Sequence, residues 1–148
     1  MNIIKIIGIA AGAAVAGIAG LAIMNPNNTA QTSADSQDEA LRTRRYKTDL
    51  QTFVGETKTL IPTISTYGQD WKVVSSEVAA GNSASIKIEV PVVIFTDDLE
   101  VKADFDTEKS EVIVNVHSTS RVGKSDLGEN RRHILQILEV LDKWFLKS

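Results

Sequence analysis

One stretch of the chain, residues 117–133, concentrates side chains that could bind a ligand or fix a turn. It follows an alternating apolar run and precedes an amphipathic helix. Backbone amides exposed at the start of a helix, with two cations nearby, can hold a phosphate or a carboxylate. The stretch is therefore a candidate anion site. The residues that we expect to form this site or corner are Ser120, Arg121, Gly123, Lys124, Ser125, Asp126 and Asn130.

The same residues also fit a purely structural role, which we favour. Asp126 and Glu129 have the spacing of a capping box, in which each side chain satisfies a backbone amide at a helix start. A guanidinium can form two parallel hydrogen bonds with one carboxylate. We therefore predict that Arg121 is substantially buried and pairs with Asp97, Asp98 or Asp126, locking the strand-to-helix turn.

The search for catalytic groups gives no constellation. His117 and His133 flank the stretch without the spacing of a metal-binding helix motif, and His133 is expected on a helix surface. Adjacent Asp97 and Asp98 could be an acid pair or a cation site, but in a tight hairpin they are more typical turn formers. There is no nucleophile elbow, Walker loop or dinucleotide fingerprint. We expect no enzyme activity, no metal and no cofactor.

Composition sets the outer limits. The chain has 148 residues, 43% of them hydrophobic, which is enough for one domain plus an attachment. Its net charge of −3 argues against general affinity for nucleic acid, which needs a concentrated basic face. Since there is no cysteine, disulfides, haem thioethers, iron–sulfur clusters and lipoprotein anchors are excluded.

Residues 120–132 resemble the signature of domain-of-unknown-function family 1499, a family of bacteria, cyanobacteria and plastids. The segment from Phe95 to Glu100 is similar to a second family motif, an acidic turn. The resemblance extends over residues 44–146 and implies a fold but no activity, because none is established for the family. Many members open with a paired-cysteine segment that this chain lacks. The signature matches are Ser120, Arg121, Gly123, Ser125, Asp126, Leu127, Gly128 and Asn130.

An apolar run near the N-terminus predicts a transmembrane helix. From Ile6 to Met24 a helix would be roughly 28 Å long, just enough for a bilayer core. The alternative is a cleaved secretion signal, with passable cleavage sites after Ala22 and Ala34. We favour a retained anchor, because the run is long for a signal.

The anchor has one face of small residues, which permits close packing against another transmembrane helix. A lipid-exposed, weakly hydrophobic anchor is the alternative. Lys5 precedes the run, so we expect a single-pass protein in a bacterial-type membrane with a cytoplasmic N-terminus. The soluble domain then lies in the periplasm or the thylakoid lumen. The small-residue face comprises Gly8, Gly12, Ala16 and Gly20.

The rest divides into a flexible tether, residues 25–43, and a soluble domain, residues 44–148. The tether is polar and without apolar periodicity. The domain reads as an amphipathic helix, four strands joined by short turns and a closing helix. We therefore predict an α+β fold in which two helices flank a four-stranded antiparallel meander.

Two functions follow from these features. The first is a non-catalytic accessory or scaffold subunit of a membrane assembly, whose anchor packs against another membrane protein. The second is a module that binds a small anion or lipid headgroup at the 121–126 turn. The partner, the ligand and the physiological process are not encoded in any motif found.

Overall fold

The computed structural model describes residues 28–122 and 128–148 of the chain. No helix in these two ranges is long and apolar enough to cross a membrane. Several predicted features lie outside the described residues: the transmembrane helix over residues 6–24, its small-residue face, and five residues of the signature segment. The residues of the face and the segment are Gly8, Gly12, Ala16, Gly20, Gly123, Lys124, Ser125, Asp126 and Leu127.

The domain is organised by three long antiparallel strands. They are β6 (Ser83–Val92), β7 (Phe95–Asp106) and β8 (Glu111–Ser120), each paired with the next along the chain. Alternate residues of each strand are buried, as the sequence periodicity predicted. β5 (Lys72–Ala79) extends the sheet beyond β6, with a bulge between Val73 and Ser75.

The other edge of the sheet is formed by the N-terminal part of the described chain. β1 (Thr29–Gln31) and β2 (Arg44–Tyr46) both pair with β8, giving a six-stranded sheet. β1 falls within the predicted tether, so the structure differs from that prediction for residues 28–43. The segment is held through backbone pairing and the buried side chain of Thr32, neither of which produces an apolar repeat.

Two helices cover the buried face of the sheet. Helix α1 (Leu50–Leu60) begins after Asp49, whose carboxylate accepts a hydrogen bond from the Thr52 amide. It gives way to a short 3-10 turn containing Pro62, which cannot continue the backbone ladder. Helix α2 (Glu129–Trp144) buries a stripe comprising Ile134, Ile137, Leu138 and Leu141.

The α+β class and the two helices are confirmed, but the predicted number of strands was wrong. There are eight strands rather than four in the described ranges. Besides β1 and β2, a small hairpin of β3 (Ser65–Thr66) and β4 (Gln69–Asp70) joins helix α1 to β5. Strands this short carry no alternation from which they could be predicted.

Candidate functional site

The signature residues that the structure describes meet at one edge of the sheet, where β8 ends and helix α2 begins. Asn130 is fully buried there. Its amide nitrogen donates hydrogen bonds to the Ser120 hydroxyl and the Asn28 carbonyl, each at 2.8 Å. Its carbonyl oxygen accepts one from the buried Ser118 hydroxyl. We call Asn28, Ser118, Ser120 and Asn130 the Asn130 clamp.

The clamp fixes the position of Asn28 next to the end of β8. The Ser120 amide donates to the Asn28 carbonyl at 2.8 Å, and the Asn28 side chain donates back to the Ser120 carbonyl at 3.3 Å. Asn130 therefore ties Asn28, the end of β8 and the first turn of α2 together. This gives Asn130 and Ser120 of the signature a structural role.

Arg121 does not have the predicted burial. Its side chain is 46% exposed. It forms the expected fork with Asp98, through Nε at 2.8 Å and Nη2 at 2.7 Å, and Nη2 also donates to Glu89 at 2.9 Å. Glu89 and Asp98 face each other across β6 and β7, so Arg121 bridges two carboxylates that would otherwise repel.

The electrostatics of this cluster follow from the fork. The hydrogen bond from Arg121 lowers the pKa of Asp98 below its ordinary value. The hydrogen bonds to Asp98 and Glu89 raise the pKa of the Arg121 guanidinium. With two carboxylates around one cation, the cluster carries net negative charge, which disfavours a further anion at Arg121.

Asp97 lies on the opposite side of the sheet, buried beneath helix α2. One of its carboxylate oxygens is 3.3 Å from Nδ1 of His133. His133 is fully buried rather than on the helix surface, and its ring meets that of Trp71 edge-on at 6.0 Å. Helical spacing predicts this burial, since His133 lies four residues before Ile137 and therefore on the same buried face.

Glu129 completes this buried polar cluster. It lies 2.9 Å from Nε2 of His133, accepts hydrogen bonds from Arg132 and from the Tyr67 hydroxyl, and borders a shallow cleft of about 440 Å³. Burial raises the pKa of Glu129, but the hydrogen bonds from His133 and Arg132 outweigh it and lower the value to about 2. The spacing of Glu129 and His133, four residues apart on a helix, was the signal for this contact.

The described residues also include no candidate metal site. Among the described residues, no group of three or more potential ligand side chains is arranged to hold a metal ion. His117 lies on β8, where its ring contacts the Thr29 hydroxyl at 2.9 Å. The hydrogen bonds of the Asn130 clamp hold the end of β8 against the first turn of helix α2.

An apolar surface lies at the same edge of the molecule. The two-residue turn between β6 and β7 exposes Val93 and Ile94. Phe95, the first residue of β7, and Val122, two residues after the end of β8, are about half exposed. We call these four residues the apolar tip.

Comparison with known proteins identifies the family. No curated protein sequence matches the chain. Among solved structures, a mutant of the protein Mog1 is similar, with 14% identity, 81% of this chain and 79% of that chain covered, and a TM-score of 0.37. A similarity this low supports no statement about function. A family model described as "Protein of unknown function (DUF1499)" matches residues 21–141. The chain therefore belongs to the DUF1499 family.

Proposed function

We propose that the protein is a membrane-anchored, non-catalytic accessory subunit of a membrane assembly. Residues 6–24 form its single transmembrane helix, with the N-terminus in the cytoplasm and the domain in the periplasm or the thylakoid lumen. One observation carries the proposal: Asn28, only four residues after Met24, is already held by the Asn130 clamp. The domain therefore follows the anchor almost directly.

The short connection supports a role at the membrane surface. Four residues span at most about 14 Å when fully extended, so the sheet edge stays close to the hydrocarbon boundary. A tether of residues 25–43 would have let the domain range over a much larger volume. A fixed distance suits a subunit that contacts its neighbours at the bilayer surface.

The alternative of an anion-binding turn has less support. The Arg121 guanidinium already donates to Asp98 and Glu89, and a phosphate or carboxylate would have to displace one of them. The excess negative charge at the cluster opposes such an exchange. Residues 123–126 of this turn lie outside the described ranges, so they support neither the structural role nor anion binding.

Retention of the anchor is tested by the intact mass of the protein from native membranes. We expect the mass of the chain with residues 6–24 present, and the protein should stay in the membrane after alkaline extraction. A mature form starting near Ile23 or Asp35 would contradict anchoring by this helix.

Packing of the anchor is tested by substitution on its small-residue face. Gly12→Leu places a bulky side chain on the face formed by Gly8, Ala16 and Gly20, and should weaken co-purification with other membrane proteins in mild detergent. Ala14→Leu adds a similar volume on the opposite side of the predicted helix and should have little effect. Equal recovery of partners with both variants would argue against a packed face.

A further inference from the structure

The apolar tip is unusual for a water-exposed hairpin turn. Val93 is 60% exposed and Ile94 is 84% exposed. Phe95 follows at 48%, and no charged residue occurs between Val90 and Thr96. Large side chains clustered at a protruding turn, rather than scattered singly, mark a contact surface.

The backbone shows that these residues do not serve the turn itself. Two-residue hairpin turns favour glycine, asparagine or aspartate, because a central residue has positive φ. Val93 has φ of 55°, a conformation that is strained for a β-branched side chain. The turn therefore has apolar side chains where its geometry favours other residues.

The tip lies at the same end of the sheet as Asn28, the residue that follows the predicted anchor by four positions. β6 and β8 run toward this edge and β1 runs away from it, so Asn28 and the tip lie at the same end of the sheet. Asn28 is level with Ser120, which pairs with Asp97. Ile94 is three residues beyond Asp97, so the tip projects roughly 10 Å past the start of the described chain.

These lengths bring the tip to the lipid. When the strands lie along the membrane normal and the residue 25–27 connection is fully extended, Ile94 ends about 4 Å from the hydrocarbon boundary. The headgroup region is roughly 5–7 Å deep on each side of the bilayer. Any shorter connection moves the tip deeper.

We propose that the apolar tip docks into the lipid bilayer beside the anchor, an inference that rests on the proposed anchoring. The domain then has two attachments, the connection at Asn28 and the β6–β7 turn, which together fix its tilt. The cluster of Arg121, Asp98 and Glu89 lies at least about 10 Å from the tip, on the side away from the bilayer, and stays in the polar layer. Because that cluster is not basic, docking needs apolar insertion rather than anionic lipid.

A single-cysteine probe tests the docking, since the natural chain has no cysteine. The full chain with Val93→Cys is labelled with an environment-sensitive fluorophore and reconstituted into phosphatidylcholine vesicles, with or without nitroxide groups on the upper acyl chains. Val78→Cys is the matched control: Val78 is 56% exposed and lies near the far end of β5, roughly 30 Å from the tip.

We expect the emission maximum of the fluorophore at residue 93 to shift to shorter wavelength in vesicles. Nitroxide lipid should quench most of its emission, at low and high salt alike. The fluorophore at residue 78 should keep the emission maximum of an aqueous environment and should not be quenched. Ile94→Cys should reproduce the first result, and circular dichroism should show all three variants folded.

Each other outcome overturns the inference in a recognisable way. An aqueous signal at residues 93 and 94, in protein that floats with the vesicles, refutes docking and leaves the anchor standing. A blue shift without nitroxide quenching assigns the tip to protein, whether the chain itself, a second copy or a partner. Failure of the unlabelled chain to float refutes the anchoring and the docking with it.

Discussion

Asn130 connects three parts of the chain through one buried side-chain amide. Replacing it with alanine leaves the buried Ser118 hydroxyl without this hydrogen bond. The partly buried Asn28 carbonyl loses one of its two hydrogen bonds and keeps the one from the Ser120 amide. Each buried polar group that loses its partner costs roughly 1–3 kcal/mol. We expect Asn130→Ala to lower the free energy of unfolding by roughly 2–4 kcal/mol, measured by urea denaturation with circular dichroism.

Arg121→Ala is the contrasting variant in the same signature. Because the Arg121–Asp98 pair is about half exposed, its loss should lower the free energy of unfolding much less than Asn130→Ala does, and still less at high salt. The predicted buried pair would have made the loss much larger, because removing one partner leaves a charge without a partner away from water. If Arg121→Ala proves as damaging as Asn130→Ala, the order of importance derived from burial is wrong.

Glu129 gives the fold a dependence on acid pH. Its folded pKa of about 2 is below the ordinary value of 4.5. The resulting stabilisation, about 3 kcal/mol, is complete above pH 4.5 and is lost as pH falls toward 2. We therefore expect the difference in unfolding free energy between the natural chain and Glu129→Gln to shrink over that interval. It should be largest at neutral pH.

A control separates this effect from general acid unfolding. Glu77 is exposed on β5, so Glu77→Gln should change stability little at any pH. A Glu129→Gln difference that stays constant between pH 7 and pH 2 would contradict the assignment to this carboxylate.

At the level of elements, the β6–β7 hairpin combines backbone strain with exposed apolar side chains. Val93→Gly removes the strain at positive φ, at the cost of a more flexible unfolded chain. We expect the free energy of unfolding of the full chain in mild detergent to rise by roughly 0.5–1 kcal/mol. The same variant should dock less firmly, since it loses an apolar side chain.

Ile94→Gly is the matched control for the hairpin. Ile94 does not have a positive φ, so glycine there relieves no strain and should lower stability. Equal losses from the two glycine variants would show that the turn at Val93 is unstrained.

Some elements can be predicted from the sequence pattern and others cannot. The alternation along β7, with Leu99, Val101 and Ala103 buried, identified it directly. β1 has three residues at a sheet edge, and its backbone pairing leaves no side-chain pattern. The partnership of Arg121 with Glu89 depends on the β6–β7 register, which the turn length sets and residue types do not reveal.

At the level of the whole molecule, residues 28–46 belong to the domain rather than to a tether. Thr32 is buried, its hydroxyl donates to Asn115 at 2.8 Å and its oxygen accepts from the Val116 amide at 2.9 Å. Ala30 packs against the core. Losing this segment uncovers the edge of β8 and removes Asn28 from the Asn130 clamp.

The two cleavage sites in the sequence therefore have opposite consequences for folding. A chain beginning at Ile23 keeps β1, Thr32 and the Asn130 clamp, and should unfold cooperatively. A chain beginning at Asp35 loses them, and should be less stable by roughly 3 kcal/mol or more, a large part of a small domain's total. Urea denaturation of the two chains measures the difference. A synthetic peptide of residues 25–34 should restore part of it by adding the missing strand. Equal stability of the two chains would show that the segment before Asp35 is dispensable for folding.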